Sequence, residues 1–131
     1  MRTVRTLARG LIATLMVTSS LLAHHDWPVD RTTQITVTGT VTAYTWGDPH
    51  VMIALDVQAN GTIEKWSVGA SSKQYTAVGG WDRNTFKPGD VITVIGYRFK
   101  DGSHMAQVQK IVMASGKELY YSSRPKQGSP Q

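Results

Sequence analysis

From Gln34 the chain alternates between apolar and polar positions. In QITVTGTVTAYTW, Ile35, Val37, Gly39, Val41 and Ala43 fall on one side and Thr36, Thr38, Thr40 and Thr42 on the other. A period of two is the repeat of a strand with one buried face, so this stretch predicts a long half-buried strand. Gly39 has no side chain to pack there and marks an expected bulge or sharp bend, as when a strand curls around a small barrel. The turn at residues 47–49, GDP, leads into VMIALDV, whose inner positions are Val51, Ile53, Leu55 and Val57. A connection this short predicts a hairpin. Asn60-Gly61 is the strongest short hairpin signal in the chain, and TIEKWSV follows it as a third strand with Trp66 and Val68 in phase.

The alternation stops at residues 71–78, SSKQYTAV, where Ser71 or Ser72 is placed to cap a short helix that Gly79-Gly80 would end. After the KPGD turn at residues 87–90, VITVIGYRF reads as a fourth strand with its own interior glycine, Gly96. KDGS turns the chain into a fifth strand, HMAQVQKIVM, and ASGK leads to a short edge segment, ELYY. Three strands, one short helix, then two strands is the order of a five-stranded oligomer-binding-type barrel. The expected fold class is therefore all-β, a small barrel with five main strands and one helix between strands 3 and 4. A β-sandwich is the competitor, but it ordinarily uses more strands. Ile35, Val37, Val41, Ile53, Leu55, Trp66, Val94 and Ile111 are the expected core.

The chain of 131 residues suits one domain. Its start reads differently from the rest: Arg2, Arg5 and Arg9 precede an uncharged apolar run, Leu11 to Leu22, and Ala23 follows as a small residue. That is the layout of a secretory signal, too short to span a bilayer comfortably. The expected organisation is a signal peptide at 1–23, a barrel domain at 24–121 and a disordered polar tail at 122–131, rich in Ser, Pro and Gln. An uncleaved amino-terminal anchor is the alternative. Export changes the charge balance, because the formal +5 includes those three arginines and the remainder carries +2. This is weak for a nucleic-acid binder, so none is expected as a partner. No stable membrane insertion is expected after cleavage. The protein is expected in the periplasm or outside the cell. Cysteine is absent, which excludes disulfides and thiolate metal sites.

The spaced motifs resemble a family of small exported bacterial proteins of unknown function. They are A-H-H at 23–25, T-G-T-V at 38–41, W-x-x-P-H at 46–50, G-W at 80–81 and K-P-G-D at 87–90 followed by the I-T-V-I-G-Y run. The resemblance covers roughly residues 22–120 and implies a barrel similar to the oligomer-binding fold. This chain has Asp48 where that family usually has asparagine, and Asp26-Trp27 where it has a serine and a phenylalanine. The resemblance implies no activity.

Catalytic signatures are missing: there is no H-E-x-x-H, G-x-S-x-G or phosphate-cradling G-x-x-x-x-G-K. A non-enzymatic role is expected. All four histidines, His24, His25, His50 and His104, lie at the expected mature terminus or beside a turn. Imidazole is the commonest ligand for zinc and copper, and an amino-terminal histidine adds its own amine to form a chelate. In an oligomer-binding-type barrel the loops between strands 1 and 2 and between strands 4 and 5 belong to the usual ligand region, and His50 and His104 follow these turns. The expected metal ligands for copper or zinc are His24, His25 and His50, with His104 as an extra ligand and Asp48 as a ligand or a partner to an imidazole. The bland alternative makes each a surface histidine bonded to a backbone carbonyl. Reach limits the first reading: a straight strand 1 of about 13 residues spans roughly 40 Å, whereas the ten residues from His24 extend to about 33 Å at most.

Trp46, at the first hairpin, carries a second reading. In it the barrel face binds a periplasmic protein or a polymer and no metal is used. Trp66 and Trp81 are expected in the core.

Overall fold

The computed structural model describes residues 26–122. The expected signal peptide, His24, His25 and the expected tail beyond Ser122 lie outside the described residues. Among the described residues, six strands and one helix follow one another as β1 (Val29–Thr45), β2 (Met52–Ala59), β3 (Thr62–Gly69), α1 (Lys73–Val78), β4 (Val91–Phe99), β5 (Met105–Met113) and β6 (Glu118–Tyr120). The sheet order is β3-β2-β1-β4-β5-β6, and a parallel pairing of β3 with β5 joins the ring. The result is the expected small all-β barrel, with the helix between β3 and β4 and the ELYY segment as β6 along the edge of β5. No described helix is long and apolar enough to cross a membrane.

Period-two patterning builds the core. Ile53, Leu55 and Val57 from β2, Trp66 and Val68 from β3, Ile92 and Val94 from β4, and Ala106, Val108 and Ile111 from β5 are all buried. Trp81 and Phe86, from the segment after the helix, seal one side of this cluster and meet edge to face at 5.1 Å. The β2–β3 hairpin turns on Asn60 and Gly61, both at positive φ (50° and 79°), the conformation whose twist matches that of the flanking strands. Ser72 caps α1 through its backbone carbonyl, which accepts the Thr76 N–H at 2.9 Å, and Gly79 ends it.

β1 departs from the expectation in three respects. It begins at Val29 rather than Gln34, with an irregularity between Val29 and Gln34 in its pairing to β4. Its bulge falls between Val41 and Ala43, not at Gly39. The extra residue inverts the alternation, so Ala43 is exposed and Tyr44 and Trp46 turn toward the core instead. Gly39 serves close approach: a Cβ there would lie 2.7 Å from the Asp56 carbonyl oxygen. It stands beside Thr40, where β1 passes from pairing with Val91 of β4 to pairing with Asp56 of β2. Ile35 and Val37, expected in the core, are only half-buried at its margin.

Candidate functional site

Closure of the barrel brings several strand ends to one mouth. His50 precedes β2, Gly69 ends β3, Phe99 ends β4 and Met105 opens β5, while Trp27 lies just ahead of β1. The Trp27 indole packs edge-on against the His50 imidazole, with ring centroids 4.5 Å apart, and against Phe99 at 5.5 Å. Pro28 fixes the approach, its carbonyl accepting the Lys100 N–H at 2.9 Å. Gly69 makes room for the indole: a Cβ on Gly69 would lie 2.1 Å from Trp27 Cη2 and 2.8 Å from Met52 Sδ. A cleft of about 370 Å³ opens here, with Asp26, Trp27, His50, Met52 and Met105 among its walls.

Local patterning aims the donors into this cleft. Val51 and Ile53 are fully buried, so His50 and Met52, which alternate with them, face the other way. Ala106 is buried on β5, and Met105 beside it faces outward by the same rule. The Nδ1 atom of His50 is buried and has no hydrogen-bond partner. Buried ring nitrogens are nearly always satisfied, and this one is an exception.

The other expected site residues go elsewhere. His104 stacks on Trp66, with ring centroids 5.0 Å apart and planes 16° from parallel. Its Nε2 lies 3.6 Å from Glu64 Oε2, the oxygen that accepts the Trp66 Nε1–H at 2.9 Å. Arg98 also sits 5.3 Å from the Trp66 ring and donates through Nε to the Ser103 carbonyl. Asp48 turns to the helix: its Oδ1 accepts the Lys73 N–H at 3.1 Å, and its Oδ2 lies 3.4 Å from Lys73 Nζ. The backbone N–H bond, followed by the Lys73 side chain, holds the Asp48 carboxyl below the usual carboxylate range despite some desolvation. Trp46 is half-buried, 6.5 Å from Tyr44 ring to ring, in a depression of about 630 Å³ shared with Asp48, Ser72 and Lys73. Among the described residues, no three His, Cys, Asp or Glu side chains gather into a group that could hold a metal ion.

Sequence reasoning misses Trp27, Met52 and Met105. Trp27 enters it only as a departure from the family's phenylalanine, although an indole two residues after a histidine pair is a signal that the segment packs on something. Met52 shares the outward phase of its strand with His50, and that pairing is legible. The place of Met105 beside them is not.

Comparison with known proteins adds little about activity. No curated protein matches the chain. Among solved structures, the crystal structure of TiaS in complex with an isoleucine tRNA and ATP is similar at 19% identity and a TM-score of 0.47, over 70% of this chain and 20% of that one. The chain thus spans about a fifth of that protein's length. A model of the family of unknown function DUF6152 matches residues 12–108, and the chain belongs to that family.

Proposed function

We propose that this is an exported, non-enzymatic barrel protein that binds a transition-metal ion, copper or zinc, through His24, His25 and His50. The observation that carries this reading is the packing of Trp27 on His50 at 4.5 Å. Asp26 lines the same cleft as His50, and His25 is its neighbour in the chain. Consecutive Cα atoms are about 3.8 Å apart, so the chain between Trp27 and the histidine pair is short enough to let the pair reach the His50 imidazole. The unpartnered Nδ1 of His50 supports a ligand at this position. An amine with imidazoles and no thiolate suits Cu(II) and zinc.

Metal titration of protein processed to His24 tests this reading. One residue added before His24 separates the amine from the imidazole and should weaken Cu(II) binding more than tenfold. His50→Ala should also weaken it. If the extension has no effect and His50→Ala abolishes binding, the site lies on the barrel and the histidine pair is incidental.

A second reading is favoured by the helix. Tyr75 and Val78 are 64% and 68% exposed on the helix whose Lys73, Gln74 and Ala77 line the depression with Trp46, and exposed apolar side chains suit a periplasmic protein or a polymer. If neither the extension nor His50→Ala alters metal affinity, this reading replaces the first.

A further inference from the structure

We infer that the cleft holds a second kind of metal chemistry, a site for a soft monovalent cation, Cu(I) or Ag(I), built from His50, Met52 and Met105. The site shares His50 with the proposed function but needs neither His24 nor His25. Three observations converge on it. First, Met52 and Met105 line the cleft together with His50. All three project away from the core, because the residues alternating with them, Val51, Ile53 and Ala106, are buried. Second, the Met52 sulfur lies beside the Trp27 ring: Sδ and the six-membered ring both border the space above Gly69, at 2.8 Å and 2.1 Å from where a Cβ would stand. Third, His50, which lines the same cleft, has its Nδ1 buried without a hydrogen-bond partner.

Ordinary packing does not require this combination. Two thioethers beside an unsatisfied imidazole nitrogen form a neutral, soft donor set. Thioether sulfur selects Cu(I) over zinc and over Cu(II), which prefer nitrogen and oxygen. In a chain without cysteine, methionine is the only sulfur donor available. A monovalent ion on neutral ligands leaves one positive charge in an apolar cleft. The indole of Trp27, already against His50 and Met52, offers its π system to a cation and shields the ion from water.

Ag(I) is the redox-silent probe, in chloride-free buffer, with Cu(I) measured by anaerobic competition against a chromogenic chelator. Protein processed to His24 should bind one Ag(I) with quenching of tryptophan fluorescence. Met52→Leu and Met105→Leu, which keep side-chain volume and remove sulfur, should each weaken Ag(I) and Cu(I) binding at least tenfold and leave zinc affinity within twofold. Methionine methyl resonances of the unaltered protein provide a measurement that no folding defect can cloud: those of Met52 and Met105 should shift with Ag(I), and that of Met113 should not. The sulfur site is overturned if the Met52 and Met105 methyls stay in place, or if both leucine variants bind Ag(I) as the parent does. Protein extended by one residue before His24 separates the two readings. Methionine-dependent Ag(I) binding that survives the extension supports the sulfur site even where the amino-terminal chelate fails. Extension-sensitive Cu(II) binding with unmoved methionine methyls overturns the sulfur site and leaves the chelate standing.

Discussion

Trp27 occupies the space that a side chain on Gly69 would need. A Cβ there would stand 2.1 Å from Cη2 of the indole, well inside contact distance. Gly69→Ala should therefore expel the ring and with it the segment that leads to the histidine pair. The obstructing atoms are ends of side chains, so the barrel should survive. We expect a loss of about 1–3 kcal/mol in denaturant unfolding, with a change in tryptophan emission and weaker metal binding. Unchanged emission would mean that Trp27 does not depend on Gly69.

Gly96→Ala should be worse. The added Cβ would meet the Gln107 carbonyl oxygen at 2.0 Å, and backbone cannot rotate aside. Gly96 also adjoins the register shift where β4 passes Ile95 opposite β5. The unfolding midpoint should fall further than for Gly69→Ala, and soluble yield should drop.

Leu55 is fully buried on β2, which lies between β1 and β3. Leu55→Ala should cost about 2–5 kcal/mol in urea unfolding. Ile63, on the neighbouring strand but 52% exposed, is the contrast, and its replacement by alanine should stay within about 1 kcal/mol. Similar losses at both sites would contradict the burial pattern.

Tyr44 donates its hydroxyl to the Asp82 carbonyl at 2.7 Å and packs edge-on against Phe86 at 5.2 Å. Desolvation, aided by the nearby Asp82 charge, pushes its phenol up to about 12. The folded protein thus keeps a proton that the unfolded chain releases near pH 10. The linked stability is fully present below about pH 10 and is lost as pH rises toward 12. Tyr44→Phe should cost about 1 kcal/mol at neutral pH and flatten this alkaline limb.

Asp48 works in the opposite direction. Its folded carboxyl is lowered by the Lys73 N–H, so its support of the helix is present above the ordinary aspartate range and is lost as pH falls through the lowered value. Asp48→Asn should speed amide exchange across Lys73–Val78 at neutral pH, and the difference from the parent should vanish in acid. Metal affinity should be unaffected, because the carboxylate is already engaged by the helix.

Much of the fold was legible in the residues themselves. Alternation with period two placed β2 to β5 and most of the core, since a strand with one buried face must repeat that way. Asn60-Gly61 announced its hairpin through positive φ, and residues 71–80 announced the helix by breaking the pattern. Local rules failed first at Ala43. A bulge is set by how two strands keep register around a bend, and nothing within β1 says where the extra residue falls.

The candidate site was legible only in part. His50 and its place beside the first hairpin loop could be read from the chain, but its neighbours could not. Counted along β1, the path from the amino terminus to His50 is long. The barrel joins them around the other side: the start of β1 pairs with the end of β4, β4 with β5, and β5 with β3 through Ser67 and Met105. Trp27 therefore arrives at His50 without traversing the strand. Alternation determined which residues face in or out, because that is a property of each strand alone. Which outward residues meet was decided by closure, which depends on the summed curvature and register of all the strands.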